Sequence, residues 1–174
     1  MRTYLEFGSR TRVLVATLVT TLLLLLAVFP ALPIEGDLLD VRSGYTHEEV
    51  VAAMEGYGEQ GRRVYAWSSA TLDTLLPLAY VSLLAGAAYR FRPTERAWRL
   101  AWLPVAAGAL DLGENVQVIV MLTRYPDVSA GQVAIASLFT QWKGYALLLS
   151  LALAVLLTVF AAVRRGRGAP DGAS

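Results

Sequence analysis

The chain has 174 residues, 56% of them hydrophobic, a net charge of +1 and no cysteine. So large an apolar share, gathered into four long runs, excludes an ordinary soluble domain and points to one all-α membrane domain with no separate soluble unit. The missing cysteines exclude disulfides, thiol catalysis and thiolate metal or iron–sulfur sites.

Residues 1–12 carry Arg2, Arg10 and Arg12 against Glu6, and 13–34 then holds no ionisable residue. A secretory signal also starts basic and then apolar, but its apolar stretch runs only about 7–15 residues to a small-residue cleavage site. Here the run is longer, and Pro30 and Pro33 stand where that site would be. A retained first span over 13–34 is expected. Residues 35–63 form an acidic outer loop. Within it, Thr46 followed by Glu49 has the form of a capping box. Val50, Val51, Met54 and Tyr57 then share one helical face, with Glu48, Glu55 and Glu59 opposite, until Gly56, Gly58 and Gly61 end the pattern. This predicts a short amphipathic helix on the membrane surface or over the mouth of the bundle; a connector with one buried face fits as well. His47, in its first turn, reads as solvated.

The second span is expected over 64–89, with Asp73 its one internal charge. Ser69, Asp73, Pro77 and Tyr80 follow one another on a single stripe. Pro77 has no amide hydrogen, so the Asp73 carbonyl loses its helical donor and a bend is predicted; such carbonyls face protein or water. A basic loop follows, in which Pro93 stops one helix and Thr94 can cap the next. The third span, 100–123, has Pro104 as a further expected bend. Its Ala106, Ala107, Gly108, Ala109 and Gly113 are small enough for close helix approach. The last apolar stretch is broken only by Lys143. About 20 residues suffice to cross a bilayer, which places the fourth span at 144–163 and a helical extension at about 129–143. A disordered tail is expected over 168–174.

The N-terminus, the central loop and the C-terminus hold 10 arginines and 3 acids, whereas the other two loops hold 4 arginines and 8 acids. The positive-inside rule therefore predicts a multi-pass protein of a bacterial-type inner membrane with N- and C-termini cytoplasmic. At a helical rise of about 1.5 Å, Asp111, Glu114 and Asn115 lie roughly 18, 22 and 24 Å above the cytoplasmic edge, with Asp73 roughly 25 Å and Lys143 roughly 30 Å up. All five fall in the outer half of a hydrocarbon core about 30 Å thick.

Ionisable groups at that depth usually carry a task or a partner. Asp73, Asp111, Glu114, Asn115, Lys143, Thr140 and Tyr80 are the expected polar pocket. Arg62, Arg63, Tyr65 and Trp142 stand at its rim, and Trp67 and Tyr145 are further candidates for aromatic walls. Three carboxylates against one lysine favour binding of a small cationic or lipid ligand. Proton or cation transfer, alone or in a homo-oligomer, and a carboxylate-dependent intramembrane enzyme are the active alternatives. A purely structural polar core is the passive one. A metal is not expected; Asp73, Asp111 and Glu114 would be its ligands if one bound. No cofactor and no nucleic-acid partner are expected, since one histidine cannot build a bis-histidine haem site, no P-loop, GxGxxG or GxSxG motif is present, and there is no basic nucleic-acid face.

The set Tyr45-Thr46, Gly61-Arg62, Tyr65, Asp73 with Pro77 and Tyr80, Asp111 with Glu114-Asn115, Tyr125-Pro126, and Thr140 with Trp142-Lys143 resembles a group of small four-span bacterial membrane proteins. That resemblance implies the four-helix fold and no particular activity. A looser likeness, of fold type alone, is to the four-helix sterol-isomerase and sigma-2-type bundles, which line a lipid-facing cavity with acids.

Overall fold

The computed structural model describes residues 1–167; the tail expected at 168–174 lies outside them. Among the described residues every regular element is helical. Four helical stretches are long and apolar enough to cross a membrane: Thr11–Ala31, His47–Arg90, Glu95–Arg124 and Ala130–Arg167.

The elements are α1 (Arg2–Gly8), α2 (Thr11–Leu23), α3 (His47–Ala70), α4 (Leu72–Arg90), α5 (Trp102–Arg124) and α6 (Ala130–Arg167). Helix α1 goes beyond the sequence reading, which assigned no structure to 1–12. It forms because Leu5, fully buried, packs with Ala85, Tyr89 and Ala101. Gly86 lies against the backbone of Gly8, where an added Cβ would stand 2.5 Å from the Gly8 oxygen. Helix α2 runs on through a π turn, Leu24–Val28, and a 3-10 turn, Phe29–Ala31. Pro30 cannot donate within a helix, and the helical stretch ends at 31 rather than 34.

The capping box forms as expected. Glu49 N–H donates to the Thr46 hydroxyl at 3.3 Å, and Thr46 N–H donates to Glu49 Oε2 at 2.7 Å. Val50, Met54 and Tyr57 are buried, Val51 is half-buried, and Glu48, Glu55 and Glu59 are exposed. The amphipathic helix does not stop short of the second span. Gly58, at φ 63° and ψ 178°, kinks α3, and the helix continues directly into that span. Only glycine adopts this backbone at low cost. His47 is half-buried rather than fully solvated: its Nε2 lies 2.8 Å from the Val128 carbonyl and ties α3 to the turn before α6.

Pro104 causes no interior bend. It is the third residue of α5, because a 3-10 segment (Glu95–Ala101) precedes that helix, and a first-turn proline lacks nothing the helix needs. Thr94 precedes this segment without a side-chain cap. Helix α6 is continuous, so the expected extension and fourth span are one helix of 38 residues. Gly108 admits Val81 and Pro77 of α4, and Gly113 admits the Phe139 ring of α6.

Two cores result. Val50, Met54, Tyr57 and Tyr65 pack with Val118, Met121, Leu122, Val133 and Ala136 at one end. Tyr80, Leu84, Ala107 and Ala154 pack further along the bundle. The polar residues lie between them.

Candidate functional site

Helix α5 presents Asp111, Glu114 and Asn115 on one face, as spacings of three and four dictate. The proline-freed carbonyl of Asp73 meets this face: Asn115 Nδ2 donates to it at 2.7 Å. That bond fixes the amide orientation, because only the nitrogen can donate. Asn115 Oδ1 is left buried with no donor.

From α6, Thr140 and Lys143 meet the same face. Lys143 Nζ makes close ion-pair contact with Glu114 Oε2 and lies 3.5 Å from Asp111 Oδ1. It also donates to the Asp40 carbonyl at 3.0 Å. Lys143 thus faces three acceptors, as many as an ammonium has protons. Tyr80 of α4 donates to Asp111 Oδ2 at 2.8 Å. Thr140 donates to Glu114 Oε1, with Tyr45 Oη 3.3 Å from the same hydroxyl. Burial pushes the Tyr45 phenol up to about 12, so it stays protonated. Both oxygens of Asp111 and Oε1 of Glu114 thus have partners, while Glu114 Oε2 has the Lys143 ion pair and no hydrogen bond.

Asp73 differs. It is 4% exposed, and among the described residues nothing donates to its carboxyl oxygens. The charged groups acting on it are Asp40, Asp111, Glu114 and Lys143, three of the four acidic. Ser69 Oγ, near the end of α3, is likewise buried and unpartnered.

A 3-10 segment, Leu39–Val41, closes the outer side. Tyr65 Oη donates to Asp40 Oδ1 at 2.6 Å and accepts from Leu39 N–H at 2.9 Å and Asp40 N–H at 3.3 Å. Tyr57 Oη donates to the Asp37 carbonyl at 2.6 Å, and Tyr45 N–H donates to Ser137 Oγ at 3.0 Å. Asp40 is therefore a fourth carboxylate at the cluster, and sequence reasoning had counted it only as a loop acid. The one sequence signal for its docking is the apolar pair Leu38-Leu39 inside a polar loop.

Of the seven interior residues predicted from sequence, Tyr80, Asp111, Glu114, Thr140 and Lys143 meet through their side chains, Asn115 bonds the Asp73 main-chain carbonyl, and Tyr65 stands at the rim through Asp40. Arg62 and Arg63 do not. Arg62 donates to the Met54 carbonyl at 2.7 Å and lies over the Tyr125 ring at 4.3 Å, while Arg63 makes only an exposed 3.9 Å pair with Glu59. Trp142, Trp67 and Tyr145 are at least 60% exposed and face outward, so they are not pocket walls. Trp142 adjoins Lys143 in sequence, but successive helical residues point about 100° apart. Asp73, Asp111 and Glu114 do not form a metal-holding group; among the described residues no three of His, Cys, Asp and Glu do. The two best-formed hollows lie elsewhere, one of about 500 Å³ beside Phe7 and Arg10–Val13 and one of about 70 Å³ beside Met121 and Gln132. The cluster itself is closed in this structure.

Fold and site define a class: an all-helical chain with four helices long enough and apolar enough to cross a membrane, enclosing an acid-rich network around one lysine. Compared with protein families, curated proteins and solved structures, the chain matches none.

Proposed function

We propose that the protein spans a cell membrane with both termini cytoplasmic, and that the acidic cluster binds a small cationic ligand reaching it from the non-cytoplasmic side. Insertion is supported by the coat of exposed leucine, valine and phenylalanine on α2 and α6, where only 11% and 17% of the most apolar windows are buried. Water does not tolerate so large a continuous apolar surface on a monomer, whereas lipid does. One observation carries the binding role: Asp73 is buried beside Asp40, Asp111 and Glu114 with no donor on its carboxyl oxygens, and the one cation near it, Lys143, is already in contact with Glu114, Asp111 and the Asp40 carbonyl. A carboxyl so placed is neutralised either by a proton or by a bound cation, and the proposed ligand is that cation. Access requires the segment 37–45 to lift from Tyr57 and Tyr65.

The test is a melting series on the detergent-solubilised full chain at fixed ionic strength, with tetramethylammonium, spermidine or a total lipid extract added. The wild type should show a saturable rise in Tm with at least one of them. Asp73→Asn should lose that rise while melting, without ligand, no lower than the wild type. No shift in the wild type, together with lowered Tm in Asp73→Asn, Asp111→Asn and Glu114→Gln alike, would reduce the cluster to packing.

A further inference from the structure

At the turn between α1 and α2, Phe7, Arg10, Thr11, Arg12 and Val13 line a hollow of about 500 Å³. Resting on the reading of the chain as membrane-spanning, we infer that this hollow binds the headgroup of an anionic phospholipid. Two of its five lining residues are arginines and none is acidic. Among the described residues neither arginine forms an ion pair. Glu6, the nearest acid in the chain, is not in the lining, and its Oε1 accepts from the Tyr89 hydroxyl of α4 at 3.4 Å.

The turn is anchored from α4, which holds its donors in place. Arg90 donates to the Ser9 carbonyl at 3.1 Å and to the Thr11 hydroxyl at 2.8 Å. The Arg10 guanidinium lies over the Phe7 ring, 5.4 Å from its centre, which orients that charge. Thr11 Oγ1 accepts from Arg90, and among the described residues its own proton has no acceptor.

The chemistry of the lining selects the occupant. Arginine forks match phosphate oxygens through paired N–H donors, and a hydroxyl adds one more. Phe7 and Val13 add apolar surface, which a lipid would use and a free phosphate would not. After Thr11, Val15, Leu18, Val19 and Leu22 follow on the same face of α2, all exposed, and give an acyl chain a track along the helix. A zwitterionic headgroup would bring its own cation against two arginines, so a headgroup of net negative charge fits better. In the proposed orientation this end meets the cytoplasmic leaflet, where anionic lipids are concentrated.

The test uses the full chain in an uncharged detergent, melted with added phosphatidylglycerol, phosphatidylcholine of the same chains, or glycerol 3-phosphate. Phosphatidylglycerol should raise Tm saturably, and phosphatidylcholine should need about tenfold more lipid for the same rise. Arg10→Lys with Arg12→Lys keeps the charge but removes the forks. That pair should weaken the phosphatidylglycerol response about fivefold while melting as the wild type does without lipid. Arg164→Gln with Arg165→Gln removes charge from α6 at the same proposed interface and should leave the response unchanged. A response lost equally in both pairs, or kept in the lysine pair, would overturn the site and leave only general attraction between basic end and acidic lipid. An equal rise from glycerol 3-phosphate would overturn the lipid as occupant. Equal responses to the two lipids would sink the inference while leaving the membrane reading intact. A chain that does not co-float with liposomes of either lipid would remove that reading and the site with it.

Discussion

The pairing of Pro77 with Asn115 shows how one residue's defect becomes another's function. Proline removes a donor from the Asp73 carbonyl, and a carboxamide on the next helix replaces it at 2.7 Å. Asn115→Leu should therefore lower stability by about 1–3 kcal/mol, toward the low end because interhelical bonds in lipid are weak. Pro77→Ala restores a helical amide, so in that background the same leucine substitution should cost less than half as much. Equal costs in a melting-based double-mutant cycle would mean that the bond is idle. Lys143→Met removes the only cation among four acids and should cost about 3–5 kcal/mol. Glu114→Gln added to it should recover part of that loss, because the closest unpaired charge is then gone; no recovery would show that Lys143 acts by packing alone. Asp111, Glu114, Thr140 and Lys143 were legible as one group because helical period fixes direction and helical rise fixes depth. Asp40 was not, since no period governs a loop. Arg62 and Arg63 were assigned to the rim by nearness in sequence, but long side chains take whatever acceptor lies in reach, and for Arg62 that is the Met54 carbonyl.

At the level of elements, α1 carries the clearest lesson. Seven residues without a side-chain cap make a poor helix by themselves. Leu5 in its pocket and the backbone contact between Gly8 and Gly86 hold it in place. Gly86→Ala should force α1 off α4, because the obstacle is backbone and cannot turn aside. A loss of about 1–3 kcal/mol is expected. With cysteines placed at Tyr4 and Ser82, whose hydroxyls lie 2.6 Å apart, crosslinking by a short bis-maleimide that makes up the lost tyrosine length should fall in that variant. Unchanged crosslinking and Tm would show that the glycine contact is not required. The four long apolar runs were readable because length and hydropathy are summed over many residues. The docking of α1, the kink at Gly58 and the unbroken α6 were not, because each is settled by what packs against it.

For the whole molecule, charge and architecture agree. Arg90 donates to the Ser9 carbonyl at 3.1 Å and to the Thr11 hydroxyl at 2.8 Å, so the start of α2 and the end of α4 form one basic end. The acid-rich segment with Asp37, Asp40, Glu48 and Glu55 packs at the other end, against Tyr125 and Val128. Helix α6 has 38 residues, which at about 1.5 Å each far exceeds a hydrocarbon core of about 30 Å. In the proposed membrane arrangement, Arg164 and Arg165 at one interface put Lys143 near the opposite one, with the first part of α6 standing outside beside α3. That height explains how a short outer segment reaches Lys143 through Asp40. In the orientation proposed from the positive-inside rule, the basic end lies in the cytoplasm and Lys143 near the far interface. Reporter fusions after Arg92 and after Arg167 should report cytoplasm, and a fusion at Glu55 the opposite side. A cysteine at Glu55 should react with an impermeant thiol reagent added outside intact cells, with no native cysteine to interfere. A cytoplasmic signal at Glu55 would invert the molecule, put the site of Asp73 and Lys143 near the cytoplasmic face, and withdraw external access from the proposed function.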